Sequence, residues 1–544
     1  MTGYITRLLT LVLLLTGPAW AAMESTDPEP PAPGELTATE WEQDIDVLVQ
    51  SLRDTHPDLV ASGADAGLDR AARELKSQLN ELDRNQTIAG IFKILAMARD
   101  DSTYVYPFQD PLRFGLYPIL AYWFSDGLYV IDARGDAEPY LGHRITAIGA
   151  TPIDQVFIRL SPYLSGENMQ GKRFLFTRNV FIPELLYAAG LSDSAELASF
   201  TFESPGGVEE TVPIYTDTVE PWKSWGARVV RFDGEKGLFT RHRDDAFWFE
   251  YLPDTNTLFV RVTQLRDQEN ETLAEFAGRL SAFADTGEFD RVVIDARYGG
   301  GGSGHQMAPL VEIIATHPRI NRSGRLFGII GRVTSGTILE FVSVLQNNSR
   351  IVLVGESTLD APNGVGDPAV VTLPNSGIEV AITEVFWPTS FADDPRRAVA
   401  PDVAVNYRHS DWQQGHDPAI TAIMNYHLDA RVNQPIASNI VEQLPGEYEV
   451  GPGQTMVISH NGNTLSFAIR DSSEEAGESF FRARADLHAQ NETRLRSDIP
   501  DVFIEFQNTD GKIGQPVLIW RGVAKPLQRV VDPTDVGDTN AQNG

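Results

Sequence analysis

The sequence predicts a multidomain α/β protein, and three observations support this prediction. At 544 residues the chain exceeds what one hydrophobic core organises, so roughly three or four domains are expected. Between residues 246 and 425, strand-like and helix-like stretches alternate, which is typical of a layered sheet with helices on its faces. After about residue 432 strand-like runs follow one another, separated by Asn-Gly and Asp-Gly turns, which predicts a separate all-β domain over 431–535, followed by a disordered tail over 536–544.

The composition excludes several classes of function. The 44 basic and 75 acidic residues give a net charge of -31. Without a basic field we expect neither nucleic acid nor an anionic membrane surface as a partner. The chain has no cysteine, which removes disulfides, thiolate metal sites and a cysteine nucleophile. No cluster of His and Asp has convincing metal spacing, so we predict no metal and no cofactor.

The first residues have the pattern of an export signal. Arg7 precedes the apolar run Leu8–Leu15, and the small residues around Ala19–Ala21 offer a cleavage site. The apolar run is too short to span a bilayer comfortably. We therefore expect a signal peptide over 1–22, a linker over 23–36, and a periplasmic or extracellular protein with no integral membrane segment after cleavage.

Helical patterns come first in the predicted mature chain. Thr37 and Glu40 form a candidate capping box, and apolar residues then recur at helical spacing. The predicted helices cover Trp41–Leu52, Leu68–Leu82 and Ile88–Ala98. Together they predict an N-terminal helical domain over 37–110.

From Leu112 onward the pattern changes to short β-type runs, of which Gly127–Ile131 and His143–Ile148 are the clearest. Leu141–Ile153 has the strand–turn–strand pattern of a PDZ-type module, a module that captures an extended C-terminus by strand addition. A generic β-layer fits these residues equally well. We predict a β module over 111–225 and leave its type open.

The best clue to function lies in the α/β stretch predicted over 226–430. Its predicted strands are Thr257–Val262, Val292–Ile294, Arg325–Ile330 and Ile351–Gly355, with helices over Thr272–Ala284 and Met307–Ala315. Four consecutive glycines, Gly299–Gly302, follow the second of these strands, and we call them the glycine loop. Because no side chains shield them, consecutive N–H groups are exposed there and suit an anion or an oxyanion.

The order of the motifs resembles that of the tail-specific, or C-terminal processing, serine proteases. Val293–Gly302 is similar to the Asp-Leu-Arg-x-Asn-x-Gly-Gly strand end of that family. Other similar stretches are Gly331–Thr334, Val354–Thr358, Leu373–Gly377, Ala400–Asp402 and Asp417-Pro418. The resemblance covers roughly residues 37–428. It implies a crotonase-like α/β core, a degenerate PDZ-like β module and a peptide or protein substrate.

The resemblance also implies a serine nucleophile in the turn Gly331–Glu340. Counting from Thr334 puts Gly336 at the expected position, whereas counting back from Glu340 puts Thr337 there. The turn contains one serine, Ser335, and we predict it as the nucleophile, with Ser303 as a weaker candidate. The predicted oxyanion and substrate-binding groups are Gly300, Gly301, Gly302 and Gly336.

The general base departs from the family pattern. The family has a Lys about twenty-five residues after its serine, but no Lys occurs between Lys236 and Lys512. We predict His305 and Glu340 as catalytic residues beside Ser335, because imidazole titrates near neutral pH and either group could take a proton. Remoter options are Asp367, His409 and His416. The family's Gly-Asp-Gly-His-Thr is also replaced here by Arg99–Thr103, without the His.

Two functions remain open at this point. The first is an exported serine-type peptidase that cleaves peptides or protein C-termini through an acyl-enzyme. The second is a catalytically inactive peptide- or ligand-binding homologue, a pseudoprotease. The oligomeric state and the role of the C-terminal β domain are left open by the sequence.

Overall fold

The computed structural model describes residues 36–530, apart from 58, 60–63, 167, 217–237, 239–240, 243, 428–434, 463 and 472–482. The predicted signal peptide (1–22) and tail (536–544) lie outside the described residues, and so does the predicted linker up to residue 35.

The α-helices are α1 (Ala38–Thr55), α2 (Asp65–Gln78), α3 (Arg84–Leu95), α4 (Ile153–Leu160), α5 (Met169–Asn179), α6 (Pro183–Ala188), α7 (Leu273–Thr286), α8 (Ala308–Thr316), α9 (Gly336–Asn348), α10 (His409–Gln413), α11 (Pro418–Met424) and α12 (Ser438–Gln443). Among the described residues, no helix is long and apolar enough to cross a membrane.

The strands are β1 (Ile119–Phe124), β2 (Gly127–Ala133), β3 (Arg144–Ile148), β4 (Thr151–Pro152), β5 (Leu197–Glu203), β6 (Glu209–Tyr215), β7 (Phe247–Leu252), β8 (Thr257–Val262), β9 (Arg291–Asp295), β10 (Leu326–Ile330), β11 (Val352–Gly355), β12 (Gly364–Thr372), β13 (Glu379–Trp387), β14 (Val403–Ala404), β15 (Gly446–Gly451), β16 (Gln454–Asn461), β17 (Thr464–Asp471), β18 (Ala483–Asn491), β19 (Arg494–Ser497), β20 (Val502–Glu505), β21 (Asn508–Thr509), β22 (Lys512–Ile513), β23 (Val517–Trp520), β24 (Val523–Pro526) and β25 (Gln528–Arg529).

The three N-terminal helices and the first sheet share one core. The predicted capping box is confirmed, since the Glu40 N–H donates to Thr37 Oγ1 at 3.3 Å. The sheet has the antiparallel order β1-β2-β3-β5-β6. Ile45 of α1, Phe176 of α5 and Phe202 of β5 belong to a single buried cluster, so the core does not break at the predicted boundary of 110/111.

The stretch 111–225 contains more helix than the sequence predicts. Between β4 and β5 the chain forms α4, α5 and α6, where only short β-type runs are predicted. The apolar residues Phe174, Leu175 and Phe176 of α5 are consecutive, so they show no clean 3.6-residue period. The predicted strands around Gly127–Ile131 and His143–Ile148 are confirmed as β2 and β3, and the PDZ-type assignment stays a prediction.

The second sheet has the order β14-β11-β10-β9-β8-β7, in which β7 is the antiparallel edge. Its central strands are buried on both faces. Val292 and Ile294 of β9 pack in one cluster with α7, α8 and α9, while Val293 packs in the opposite cluster with Ile423 of α11. This alternation is the two-residue period of a strand covered by helices on each side. The predicted layered α/β arrangement is confirmed.

The hairpin of β12 and β13 leaves this core and packs on the N-terminal helices. Tyr104 forms an isolated antiparallel bridge with Ala381 of β13. At the tip of the hairpin the carboxylate of Asp44, in α1, accepts the N–H of Asn375 at 2.9 Å and that of Ser376 at 2.8 Å. The hairpin therefore joins the α/β core to the N-terminal unit.

The C-terminal residues form a nine-stranded antiparallel sheet in the order β24-β23-β20-β19-β18-β17-β16-β15-β25. The sheet is nearly closed, and residues such as Met456, Phe467 and Leu495 fill its interior. The predicted all-β character of this region is confirmed, and its bounds as a separate domain stay a prediction. Phe391, which precedes this region by more than forty residues, lies in the same core with its ring 5.5 Å from Trp520.

Candidate active site

The glycine loop lies against the segment that follows β8. The N–H of Gly300 donates to Thr263 O at 3.0 Å, Leu265 N–H donates to Gly301 O at 3.3 Å, and Ser303 N–H donates to Leu265 O at 2.8 Å. These bonds extend the parallel sheet beyond the carboxyl end of β9. In open parallel sheets, ligands bind in the crevice beyond the carboxyl ends of the strands.

Gly302 cannot be replaced by another residue without strain. Its φ of +107° lies in a region that side-chain-bearing residues rarely adopt. A Cβ at this position would lie 2.4 Å from the carbonyl oxygen of Leu265. The close approach of the loop to residue 265 therefore depends on glycine here.

Ser335 is brought next to the glycine loop at the start of α9. Its N–H donates to Gly299 O at 3.1 Å, and its carbonyl oxygen accepts from Leu339 N at 3.2 Å. The side chain, 6% exposed, makes no capping hydrogen bond to the helix. The hydroxyl thus lies at the helix N-terminus, where unpaired N–H groups and the helix dipole favour negative charge.

Three backbone N–H groups remain as candidate donors to an oxyanion. Gly300 does not offer its N–H to the site, because that group is bonded to Thr263. Within the described ranges no protein acceptor binds the N–H of Gly301, Gly302 or Gly336. The Gly301 nitrogen lies 3.7 Å from where a Gly336 Cβ would be, and Gly336 has a φ of +49°. The glycine loop and the first turn of α9 therefore face each other.

Glu340 is a buried carboxyl next to the end of the glycine loop. It is 8% exposed, and a Cβ on Gly304 would lie 2.7 Å from its Oε2. Its Oε1 is buried and has no hydrogen-bond partner among the described residues. Burial, and then the charge of Asp367, raise the pKa of Glu340 to about 7.

His305 lies in the short 3₁₀ turn Gly304–Gln306, which packs against α9. Its side chain is exposed, and its neighbour Gly304 touches Glu340. The structure therefore brings Ser335, His305 and Glu340 to one end of α9. Ser303 immediately precedes this turn.

Two of the remoter candidates belong to other contacts. His409 is buried between aromatic rings of the first sheet and α10, and burial lowers its pKa to about 4. His416 lies 3.2 Å from an oxygen of Asp411 and 2.9 Å from Thr421 Oγ1. Asp367, in contrast, is the acid whose charge acts on Glu340.

Two buried arginines hold the glycine loop and the turn Gly331–Glu340 in place. Neither arginine is predicted from the sequence to have a role. Arg297, just after β9, donates to both oxygens of Asp295 at 2.9 Å and to Asp417 at 2.7 and 3.0 Å. Asp417 in turn caps α11. A charged residue directly after an apolar strand is the sequence signal that could have identified Arg297.

Arg332 performs the same task for the turn that carries Ser335. Its guanidinium pairs with Glu356 and donates to the carbonyl oxygen of Trp123 in β1 at 2.6 Å. It also lies over the ring of Tyr122 at 4.9 Å. The turn is therefore anchored both to the α/β core and to the first sheet.

Within the segment Arg99–Thr103, Asp100 and Thr103 belong to a buried polar cluster. Asp100 lies 3.0 Å from His56 Nε2, accepts the N–H of Thr103 at 2.6 Å and accepts Thr383 Oγ1 at 3.0 Å. These bonds tie α1, residues 99–103 and β13 together. Across the described ranges no group of three or more His, Cys, Asp or Glu side chains is placed to hold a metal ion.

Comparisons with known proteins support the fold. No protein-family model and no curated protein matches the chain. A crystal structure of a CPAF mutant matches with a TM-score of 0.51 and 13% identity, over 72% of this chain and 99% of that one. Mature CPAF complexed with lactacystin matches with a TM-score of 0.50 and 12% identity, over 71% and 99%.

The photosystem II D1 C-terminal processing protease also matches, with a TM-score of 0.33 and 14% identity, over 68% of this chain and 94% of that one. The chain therefore shares the fold of CPAF over 71–72% of its length, and these neighbours are consistent with the resemblance of its motifs to the tail-specific proteases. At these identities the likeness concerns the fold alone.

Proposed function

We propose that the protein is an exported serine-type peptidase that cleaves peptides or protein C-termini through an acyl-enzyme. One observation carries the proposal: Ser335 begins α9 directly against the glycine loop, with its N–H bonded to Gly299 O at 3.1 Å. A hydroxyl at a helix N-terminus beside free loop N–H groups is the arrangement that acyl transfer requires.

In this proposal Ser335 Oγ attacks the scissile carbonyl carbon and forms a tetrahedral intermediate. The N–H groups of Gly301 and Gly336 hold the oxyanion, since neither has a protein acceptor among the described residues. Such donors are fixed before the reaction, so they stabilise the developing charge without reorganisation. Removing one donor of this kind typically costs about 10²–10³ in kcat.

His305 is the proposed general base. Its exposed imidazole follows the glycine loop in the turn that packs on α9, and this position supports the assignment. It accepts the Ser335 proton on attack and returns it to the leaving amine, after which water hydrolyses the acyl-enzyme. Glu340 is the alternative base, but its Oε1 is buried in the interior.

A second function, peptide binding without catalysis, is favoured by a different observation. The chain from 237 to 511 contains no lysine, so the family's Ser–Lys pair cannot form within the core. The two counts along the turn also put Gly336 or Thr337, rather than Ser335, at the nucleophile position. A protein of this kind would keep the cleft and bind peptides without cleaving them.

A fluorophosphonate probe, which reacts with activated serines, separates the two functions. We expect labelling of the wild type, loss of labelling in Ser335→Ala, and retention in Ser303→Ala. His305→Gln should reduce kcat/KM by about 10²–10⁴, the range of general base catalysis. Absence of labelling, with a peptide still bound, would support the binding protein. Labelling that survives Ser335→Ala but not Ser303→Ala would contradict our assignment of the nucleophile.

A further inference from the structure

We propose that Glu340 forms the floor of a substrate pocket that selects a basic side chain, preferably arginine, next to the scissile bond. This inference rests on the proposed function, because it takes the molecule bound at the site to be a substrate. It adds the chemical class of the substrate side chain that the site recognises.

Four buried oxygens around α9 have no hydrogen-bond partner among the described residues. They are Gln306 Oε1, Thr337 Oγ1, Glu340 Oε1 and Ser343 Oγ. Glu340 and Ser343 are 8% and 3% exposed, so water does not compensate freely for the missing bonds. Most buried polar atoms in proteins are paired, and each unpaired one costs about 1–3 kcal/mol. Together the four oxygens offer acceptors that a hydrogen-bond donor from outside the chain would satisfy.

The four oxygens belong to one region. Thr337, Glu340 and Ser343 are spaced by three residues along α9, which places neighbours on the same side of the helix. Gln306 ends the turn whose first residue, Gly304, touches the Glu340 carboxylate. Glu340 follows Ser335 by five residues, or roughly 7.5 Å along the helix axis at 1.5 Å per residue. This offset suits a side chain adjacent to a bond that Ser335 attacks.

Exposed residues surround the buried carboxyl on the substrate side. Gly336 precedes Glu340 by one helical turn, His305 follows Gly304, and Asp367 is close enough to affect the Glu340 charge; all three are exposed. Neither Gly336 nor Gly304 has a side chain that would close the path. Gly304 already touches the Glu340 carboxylate, so a long, thin substrate side chain would reach the carboxyl only as the turn moves away from the helix.

The chemistry of the region calls for a cation. Every unpaired atom in the group is an oxygen, and the charge that acts on Glu340 is a second carboxylate, Asp367. The chain supplies no lysine between 237 and 511, and the buried Arg297 and Arg332 are already paired with Asp295, Asp417 and Glu356. A buried carboxylate is costly unless a positive group pairs with it.

Arginine fits this set of acceptors better than lysine does. A guanidinium carries five N–H donors in a planar fork, and it can bind a carboxylate through two parallel hydrogen bonds while still reaching amide and hydroxyl oxygens. An ammonium has three donors and no fixed plane. We therefore expect substrates with arginine to be preferred over those with lysine, and both over apolar or acidic residues.

Benzamidine, whose amidinium has the same planar fork, tests the pocket without requiring catalysis. Calorimetric titration should show binding to the wild type and to Ser335→Ala, at least tenfold weaker binding to Glu340→Gln, and no binding of uncharged benzamide. The matched control is Glu384→Gln, which removes an exposed carboxylate of β13 and should bind benzamidine like the wild type. Peptides that differ only in Arg, Lys, Leu or Glu at the cleavage position should then rank in the order given above.

The outcomes separate this inference from the proposed function. Benzamidine binding that depends on Glu340, in a protein that cleaves no peptide, supports the pocket and contradicts the peptidase. Cleavage without preference for basic residues, together with equal benzamidine binding by wild type and Glu340→Gln, overturns the pocket and leaves the peptidase intact. Circular dichroism checks each fold. If Glu340→Gln does not fold, Glu340→Asp, which withdraws the charge by one methylene, must weaken benzamidine binding or the inference is wrong.

Discussion

His409 illustrates how one residue can make the contact between two parts of the molecule sensitive to acid. Its ring stacks on Tyr129 of β2 at 4.0 Å and 12°, with Phe124 and Trp412 on other sides. Its backbone N–H donates to Asp126 at 3.1 Å, and Nε2 is buried without a partner among the described residues. Burial lowers the pKa of His409 to about 4, although Asp126 opposes the shift.

The direction of this shift gives a prediction for stability against pH. Because the folded state holds the proton less tightly than the unfolded state, the contribution of His409 is complete above pH 6.5 and is lost as the pH falls from 6.5 to about 4. The loss is at most about 1.4 kcal/mol per pH unit. Thermal melts should show a smaller loss of Tm between pH 7 and pH 4.5 in His409→Phe than in the wild type.

The control for this prediction is His460→Phe, because His460 is exposed on β16. It should lose as much stability in acid as the wild type does. An equal acid loss in wild type, His409→Phe and His460→Phe would show that other groups, such as paired carboxylates, determine the acid response.

At the residue scale, the sequence predicted which residues form the candidate site better than it predicted the hydrogen bonds that hold those residues in place. The glycine loop and Ser335 are recognisable because both depend on local features, a strand end and a helix start. Arg297 is bonded to Asp417, which lies 120 residues away in sequence. Gly300 was predicted as an oxyanion donor, but its N–H is used by Thr263, a bond that depends on strand pairing. Local patterns carry no information about such partners.

At the scale of elements, the β12–β13 hairpin depends on one buried carboxylate. Asp44 is fully buried in α1 and accepts the backbone N–H groups of Asn375 and Ser376 and the side-chain amide of Asn375 at 3.0 Å. These bonds fix the hairpin tip on the N-terminal helices.

We therefore expect Asp44→Ala to lower the free energy of unfolding by about 2–3 kcal/mol, because two backbone donors lose a charged acceptor in a buried place. Urea unfolding measures this loss. Asp54→Ala is the control, since Asp54 is exposed and its carboxylate bonds, among the described residues, only to Gln50 of the same helix. A similar loss in both variants would mean that Asp44 acts through α1 itself rather than through the hairpin.

The elements that the sequence predicted correctly are those with a clear period or a clear signal at one end. The capping box at Thr37 and the alternating burial of β9 are of this kind. The helix α5 was missed because it is enclosed on several sides: Phe176 packs on Trp123, and Asn168 at its N-terminus donates to the carbonyl oxygen of Leu359 at 2.7 Å. Such a helix needs no single apolar stripe.

At the scale of the whole molecule, Phe391 joins the α/β core to the C-terminal sheet. It is 1% exposed, its ring packs at the edge of Trp520, and Lys525 lies over it at 4.4 Å. Lys525 also pairs with Asp393, and Arg521 donates to the carbonyl oxygen of Gln346 in α9 at 3.0 Å. The C-terminal sheet thus contacts the end of α9 opposite to Ser335.

Phe391→Ala should lower the free energy of unfolding by about 3–5 kcal/mol, the usual cost of removing a buried phenyl ring. Phe386→Ala is the matched control, because Phe386 is 37% exposed and lies five residues earlier. It should change the stability by about 0.5 kcal/mol or less. Intrinsic fluorescence during urea unfolding measures both variants. If they were equally destabilised, the contact at Phe391 would not be what holds the C-terminal sheet.

The alternation of strands and helices could be predicted from the sequence, but the way in which the segments pack together could not. The period of each segment showed where strands and helices lie. That residues 38–215 share a core with the β12–β13 hairpin follows from side chains such as Leu373 and Ile378, which meet that core from far along the chain. Contacts of this kind produce no periodic pattern in the sequence of either contacting segment.

The position of that hairpin has a consequence for the order in which the chain folds. The hydrogen bond between Thr103 and Thr383 joins residues that are 280 positions apart. During synthesis the N-terminal unit therefore lacks part of its core until about residue 387 has emerged. Contacts between distant residues form slowly, and incomplete cores expose apolar surface. From about residue 215 to about residue 387, roughly a third of its synthesis, the chain thus carries an unfinished surface that a chaperone could bind.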